Sequence, residues 1–342
     1  MESSPELGFR KNDHLNINLN QDVKSSNTTG LEKFRLIHTA LPELDLDAID
    51  TTAMIFEKRL DFPLLISSMT GGTKTSADFN RIFAEAAEKH GIAIGVGSQR
   101  IAIDNSEKME TFKIRKYAPT TLIFSNLGAI QLNYGFDYSL CQKAVDAIEA
   151  DALILHLNPL QEALMESGDT RFSGLLAQIE AVCRRVSVPV IIKEVGWGID
   201  WKTAEKLFEA GVAAIDVAGA GGTSWSEVEM HRTQDPLRKK IAAGFRGWGI
   251  PTADSIEEIR RHDQTNLVFA SGGLADGIDV VKCLALGANL CGIARPFLKA
   301  ASESAQALDE YILSIKGQAK IAMFAVGARD IANVSKEMIE RT

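Results

Sequence analysis

From Pro63 onward the chain repeats one unit eight times: a short apolar run, a polar or glycine-rich turn, and an amphipathic stretch with helical period. The apolar runs are PLLISS, AIGVGS, TLIFSN, ALILHL, VIIKEV, AIDVAG, LVFASG and LCGIA. Runs that are apolar throughout mark strands buried on both faces. Helices between them make those strands parallel. Such a sheet can stay open and doubly wound or close on itself. Eight successive units favour closure, so the expected fold is α/β, a (β/α)8 TIM barrel.

The chain has 342 residues, more than the roughly 250 such a barrel takes. Residues 1–60 lack the repeat and are expected to form an arm covering the barrel mouth. Residues 61–342 are the barrel with a C-terminal extension that reads as helical from Ala300 to the end. The stretch from Gly221 to Thr252 is too long for a simple turn after the sixth strand and is expected to be a lid or active-site insertion.

A formal net charge of −8 argues against general nucleic-acid binding. No apolar run approaches the roughly 20 residues that span a bilayer, and the polar N-terminus does not resemble a signal peptide. Cys141, Cys183, Cys283 and Cys291 form no C-x-x-C pair and read as buried free thiols of a reducing compartment. A cytoplasmic protein is expected.

Function in this fold collects at the C-terminal ends of the strands. Here those ends read SSMTGG, GSQR, SNLG, HLNPLQE, KEVG, GAGGTSW, SGG and IARP. Stability alone does not require hydrogen-bonding groups or bare glycine backbone at all eight. Gly272 and Gly273 after the seventh strand leave N–H groups unshielded, and Gly292 to Arg295 lead into a helix after the eighth. That corner suits a phosphate, with Thr223 adding a contact. Lys193 ends the fifth strand with a buried stem, where an anionic ligand or a structural carboxylate would offset its charge. His156 reads equally as a core histidine or a site residue. Asn158, Gln161 and Glu162 follow it; alone they could be a solvated helix start. Together they place a hydrogen-bonding group beside one carboxylate, which with a substrate phosphate suits Mg²⁺. No dense His/Cys/Asp cluster suggests zinc or iron. By spacing alone Arg10, Lys11 and His14 are solvated charges, and Trp225 packs.

Taken in order, RKNDHL, SSMTGG, GSQR, SNLGAIQL, HLNPLQE, KEVGWG, GAGGTSW, WGIPT and ASGGLADGIDVVKCLALGA resemble the type 2, FMN-dependent isopentenyl diphosphate isomerases. The resemblance runs from about residue 10 into the C-terminal helices. It implies FMN as the phosphate-bearing ligand. Ser68, Met69, Thr70, Ser98 and Asn126 would then contact the ring, with Lys193 at its pyrimidine edge. Thr223, Gly272, Gly273, Ala294 and Arg295 would hold the ribityl phosphate. Arg10, Lys11 and His14 would grip the substrate diphosphate. His156, Asn158 and Gln161 would line the substrate site, with Gln161, His156 and Lys193 as the catalytic group. Glu162 would bind Mg²⁺, and Trp225 would wall the hydrocarbon pocket. NADPH is the implied reductant, and barrels of this kind often form homo-oligomers. Two positions depart from the pattern: Asp13 stands where a glutamate is expected, and Asp200 where a small hydroxyl residue is common.

The implied reaction interconverts isopentenyl and dimethylallyl diphosphate without net redox change. The competing reading is an FMN-dependent 2-hydroxy acid oxidase or dehydrogenase, which needs a base, usually histidine, near the sixth strand's end and an arginine for the carboxylate. GAGGTSW has no histidine, and the next one is His231. A barrel that merely senses a phosphorylated metabolite would leave HLNPLQE unexplained.

Overall fold

The structure, a computed structural model, describes residues 4–342, with side chains from residue 8 onward. The eight apolar runs are eight strands: β1 (Leu64–Ile66), β2 (Ala93–Gly95), β3 (Ile123–Gly128), β4 (Ala152–His156), β5 (Val190–Lys193), β6 (Ala214–Asp216), β7 (Leu267–Ser271) and β8 (Leu290–Ile293). All neighbours pair in parallel, and β8 closes on β1 with Gly292 opposite Leu65. The barrel read from the repeat is the barrel that forms.

Local chemistry sets the helix boundaries. The helix Lys74–His90 starts where the Thr73 side chain accepts the Ser76 N–H and stops at Gly91, whose φ of 61° suits a residue without Cβ. Asp276 starts the helix Gly277–Ala285 in the same way.

Two apolar layers result. One lies between the strands and the helices. The other fills the barrel, where Leu65, Phe124, Ile154, Ile191 and Phe269 meet. The first sixty residues divide between both ends of the barrel. A helix, Ser4–Asn20, lies across the mouth, where Arg10, Lys11, His14, Leu15 and Asn18 line the cavity below it. At the other end a hairpin, Ala53–Ile55 with Lys58–Leu60, closes the floor. Ile55 and Leu60 enter the inner core, and Phe56 meets Phe124 and Phe269 edge-on at 6.3 and 6.1 Å. An arm confined to the mouth therefore describes only part of this segment.

The C-terminus also departs from the all-helical expectation. The helix Ala305–Val326 ends at Gly327, and the last residues form short turns and a strand, Ile339–Arg341. That strand pairs antiparallel with Phe34–Leu36, tying the two terminal segments together. Three residues are too few to give a readable alternation. The Gly221 to Thr252 insertion is ordered as two helices, Trp225–Arg232 and Pro236–Ala243.

Candidate active site

A cavity of about 560 Å³ opens at the C-terminal ends of the strands. Every binding or catalytic candidate named from the sequence lines it. Ser68, Met69 and Thr70 follow β1, Ser98 follows β2, and Asn126 lies on β3. His156, Asn158, Gln161 and Glu162 follow from β4, and Lys193 ends β5. Thr223 and Trp225 come from beyond β6, Gly272 and Gly273 from β7, and Ala294 and Arg295 from β8. Arg10, Lys11 and His14 are brought in by the N-terminal helix.

The corner between the ends of β6 and β7 is built from backbone. Gly222 packs on Gly273 so closely that a Cβ there would lie 2.6 Å from the Gly273 nitrogen. Gly272 and Gly273 have φ of 104° and 86°, a region open to glycine. At β1, Ser67 Oγ and Ser68 Oγ are buried without a hydrogen-bond partner. Buried hydroxyls usually have one, so these face a place where a polar ligand belongs. The Arg295 side chain is otherwise engaged: Nε and Nη2 each donate at 2.7 Å, to the carbonyls of Asn18 and Gln21. Its guanidinium fastens the end of the mouth helix, leaving its backbone for the corner.

Across the mouth the side chains form a linked polar network. His156 Nδ1 lies 2.9 Å from Asn126 Oδ1 and, with the amide so oriented, carries the proton. Burial first, then the charges of Lys193 and Lys11, press the His156 pKa down to about 3. The imidazole is therefore neutral near pH 7 and holds no second proton to give. Asn158 Nδ2 donates to Gln161 Oε1 at 3.2 Å and to Glu162 Oε1 at 2.9 Å. Glu162 Oε2 accepts the Asp169 N–H at 2.7 Å. Burial raises the Glu162 pKa against these bonds. Among the described residues no three His, Cys, Asp or Glu are grouped to hold a metal ion. A cation at Glu162 would need oxygen atoms from a ligand.

Lys11 is the cation most strongly held. Nζ donates to the carbonyls of Gly71 at 2.7 Å and Ser98 at 2.6 Å and stands over the Phe112 ring. Burial, aided by the charges of Arg10 and Lys108, lowers its pKa to about 7. His14 packs edge-on against Trp225, 5.1 Å between centroids.

A family model described as FMN-dependent dehydrogenase matches residues 160–341. An isopentenyl-diphosphate delta-isomerase of Synechococcus sp. is 48% identical over 336 residues, covering 98% of this chain and 97% of that protein. A protein of the same name from Rickettsia bellii is 47% identical over 327 residues, covering 96% of each. The chain belongs to the isopentenyl-diphosphate delta-isomerase family. Solved structures of similar shape include a mandelate oxidase mutant with benzaldehyde, TM-score 0.69 and 19% identity, covering 99% of this chain and 98% of that one. Another is a flavocytochrome b2 with sulfite, TM-score 0.68 and 18% identity, covering 96% and 83%. At such identities they speak for the shared barrel alone.

This isomerase-family chain also carries polar groups that sequence reasoning missed. Glu229, buried on the insertion helix one turn beyond Trp225, accepts from Gln161 Nε2 at 3.1 Å. Its Oε1 is also 3.0 Å from His14 Nε2, and its Oε2 accepts from Arg232 Nε at 2.7 Å. Burial would raise its pKa, but His14 and Arg232 outweigh that and hold it at about 2. Nothing in WSEVEMHR distinguishes Glu229 from the carboxylate of a solvated helix. Arg100, in GSQR, lines the cavity and pairs with Asp169 at 2.8 Å. His231 does not line the cavity and lies near the Asp22 carbonyl at 3.3 Å.

Proposed function

We infer that this protein interconverts isopentenyl and dimethylallyl diphosphate, with reduced FMN bound and without net redox change. The observation that carries this reading is the hydrogen-bonded cluster that joins Glu162, Asn158, Gln161, Glu229 and His14. A barrel oxidising a 2-hydroxy acid needs a histidine base at the end of β6, and the glycine-rich chain there supplies none. The family model's dehydrogenase description keeps that oxidase as the second reading.

The residues present fit the cofactor. The partnerless Ser67 and Ser68 hydroxyls and the Gly222–Gly273 backbone offer polar contacts to a ring and a phosphate. Ser68, Met69, Thr70, Ser98, Asn126 and Lys193 would hold the ring; Thr223, Gly272, Gly273, Ala294 and the Arg295 backbone would hold the phosphate. Bound and reduced, FMN would supply a ring proton and an electron-rich face. Arg10, Lys11 and His14 grip the diphosphate, and Glu162 shares Mg²⁺ with it. Trp225 excludes water from the hydrocarbon end. Lys193 stabilises negative charge below. Neutral His156, fixed by Asn126, orients the diphosphate end. Gln161 bridges the substrate to Glu229, which His14 and Arg232 hold ionised and which fixes the Gln161 amide. NADPH is the proposed reductant and the cytoplasm the proposed compartment. Among the described residues no helix is long and apolar enough to cross a membrane. Self-association is proposed as well. Leu237, Ile241 and Trp248, at 65%, 48% and 60% exposure, support it.

The test is product analysis with protein, FMN, dithionite and Mg²⁺ under nitrogen. Dimethylallyl diphosphate should form from isopentenyl diphosphate. Its absence, with 2-hydroxy acids oxidised by the protein with oxidised FMN in air, returns the second reading to first place.

A proton-linkage prediction follows from Lys11. Its lowered pKa of about 7 leaves it largely neutral at moderately alkaline pH in the unliganded site. A diphosphate beside Nζ favours the ammonium and raises that pKa. Binding between about pH 7 and pH 10 should therefore take up protons. Calorimetry in buffers of different ionisation enthalpy measures this uptake. Lys11→Met should reduce it, and an unchanged uptake in that variant would assign the protons elsewhere.

A further inference from the structure

Lys193 and Asp216 stand opposite one another in register at the ends of β5 and β6. Neighbours in register leave a sheet on the same face, so both side chains turn toward the barrel. Asp216 is 1% exposed. Its Oδ1 accepts the Ser271 hydroxyl at 2.7 Å and the Ala218 N–H at 3.2 Å. Its Oδ2 has no hydrogen-bond partner and lies 3.9 Å from Lys193 Nζ. That separation is too long for a hydrogen bond but close enough for strong charge attraction in a dry setting. Lys193 Nζ donates at 2.7 Å to the Glu194 carbonyl. The ammonium thus has a counter-ion that does not lock it in place.

Asp216 is also fixed with care. Ala218, which lines the cavity, has a φ of 38°, a strained conformation for a residue with Cβ. The Asp216 Oδ1 bond to the Ala218 N–H is the local turn that supports it. With Oδ1 held there and by Ser271, Oδ2 can only face Lys193.

We propose that Asp216 is a positioning residue whose bare Oδ2 keeps Lys193 charged yet free to turn toward an anionic ring, so setting how strongly the site prefers reduced over oxidised FMN. This rests on the reading that FMN is the ligand. Oxidised FMN adds no negative charge at the ring, and Asp216 alone then balances the ammonium. Reduced FMN brings its own negative charge to the same cation. Without Asp216, a buried ammonium facing one carbonyl is driven toward the neutral amine.

The other groups facing this pair are accounted for. On β4, His156 is neutral, its pKa pressed to about 3 by burial and by Lys193. After β5, Glu194 turns its Oε2 to the N–H groups of Val195, Gly196 and Trp197 at 2.6, 2.7 and 2.6 Å. Burial lifts its pKa to about 7. On β7, Ser271 carries no charge. Arg10 and Lys11 act from the mouth helix, Lys11 with a pKa of about 7. Lys11 belongs to the mouth helix in both proteins, and Glu194 feels the Lys193 charge itself, so a difference between the two proteins reports on the Lys193–Asp216 pair.

The experiment compares wild type with Asp216→Asn, which keeps an oxygen for Ser271 and Ala218. Dissociation constants for oxidised FMN, and for reduced FMN under nitrogen, are measured across the pH range by flavin fluorescence and absorbance. At about pH 9 the variant's preference for reduced FMN should fall by about tenfold, the effect of one pKa unit. At about pH 6 the variant's preference should be at least that of wild type, because removing the carboxylate also removes its repulsion of an anionic ring. Adding Lys193→Arg should abolish this pH-dependent loss, because a guanidinium does not titrate in that range. Equal weakening toward both redox states would reduce Asp216 to a support for Ala218 and overturn the proposal, as would an unchanged preference at every pH. Should Asp216→Asn not fold, Asp216→Glu retains the charge. Its preference should follow wild type, and a tenfold loss at about pH 9 would overturn the proposal. Failure of wild type to bind FMN in either state defeats the cofactor reading itself, before any variant is compared.

Discussion

Glu162→Gln should lower turnover by about 10²- to 10³-fold, the scale of removing one preorganised electrostatic group. The expectation comes from the setting of the carboxylate. Glu162 is 5% exposed, with one oxygen on Asn158 and the other on the Asp169 N–H. Burial favours its neutral form, so an ionised Glu162 gains much from a divalent cation. A cation shared with the diphosphate would anchor the substrate beside Gln161 and His156. Glutamine keeps the size and one acceptor, but loses the charge and turns an amide N–H₂ toward a neighbouring donor. The concentration of Mg²⁺ giving half-maximal rate should therefore rise together with the loss of turnover. FMN affinity should hold, since the carboxylate stands beyond the residues proposed for the ring. Steady-state rates across a Mg²⁺ titration, beside an FMN titration of the same protein, check both points. Unchanged turnover with unchanged Mg²⁺ dependence would take the metal away from Glu162.

The barrel was legible because its signal is redundant. Each of the eight strands is a short apolar run ending in polar or glycine residues, and any one could be misread without losing the fold. The cavity-lining residues were legible for a related reason: a parallel barrel gathers its strand ends, so Lys193, His156 and Ser68 had to converge. Helices that pack from outside the repeat follow no such rule. Glu229 reaches Gln161 only because the insertion helix folds back over the mouth, a long-range arrangement that WSEVEMHR does not encode locally. Arg295 follows the strand-end rule yet sends its guanidinium to the Asn18 and Gln21 carbonyls, which no strand pattern foretells. The floor hairpin was hidden because its two strands have three residues each. Asp216 was overlooked as part of a strand, although a carboxylate inside AIDVAG is costly unless something offsets it.

Activity should be nearly absent with oxidised FMN and should appear on reduction by dithionite or NADPH, although the reaction transfers no electrons overall. Substrate and product are isomers, so a reductant is required only to set the state of the cofactor. The hard step is protonation of an unactivated alkene, which is a weak base and develops positive charge as the proton arrives. Few protein groups here can drive it. His156 is held neutral by burial, Gln161 is an amide, and Glu229, ionised with a pKa of about 2, has no proton to give. Lys11 is held by the Gly71 and Ser98 carbonyls. Bound and reduced, FMN would supply a proton and an electron-rich surface that steadies the cation. Lys193, with Asp216 behind it, is placed to favour that reduced state. NADPH should therefore be consumed in a small activating amount, not one per product. In D₂O, deuterium should enter the methyl group formed by protonation, read by mass spectrometry or NMR. Glu229→Gln should slow turnover even with reduced FMN, since a neutral amide holds the Gln161 amide and His14 less firmly than the carboxylate does. Full turnover with strictly oxidised FMN, or one NADPH oxidised for each product, would refute this mechanism and favour an oxidoreductase on the same barrel.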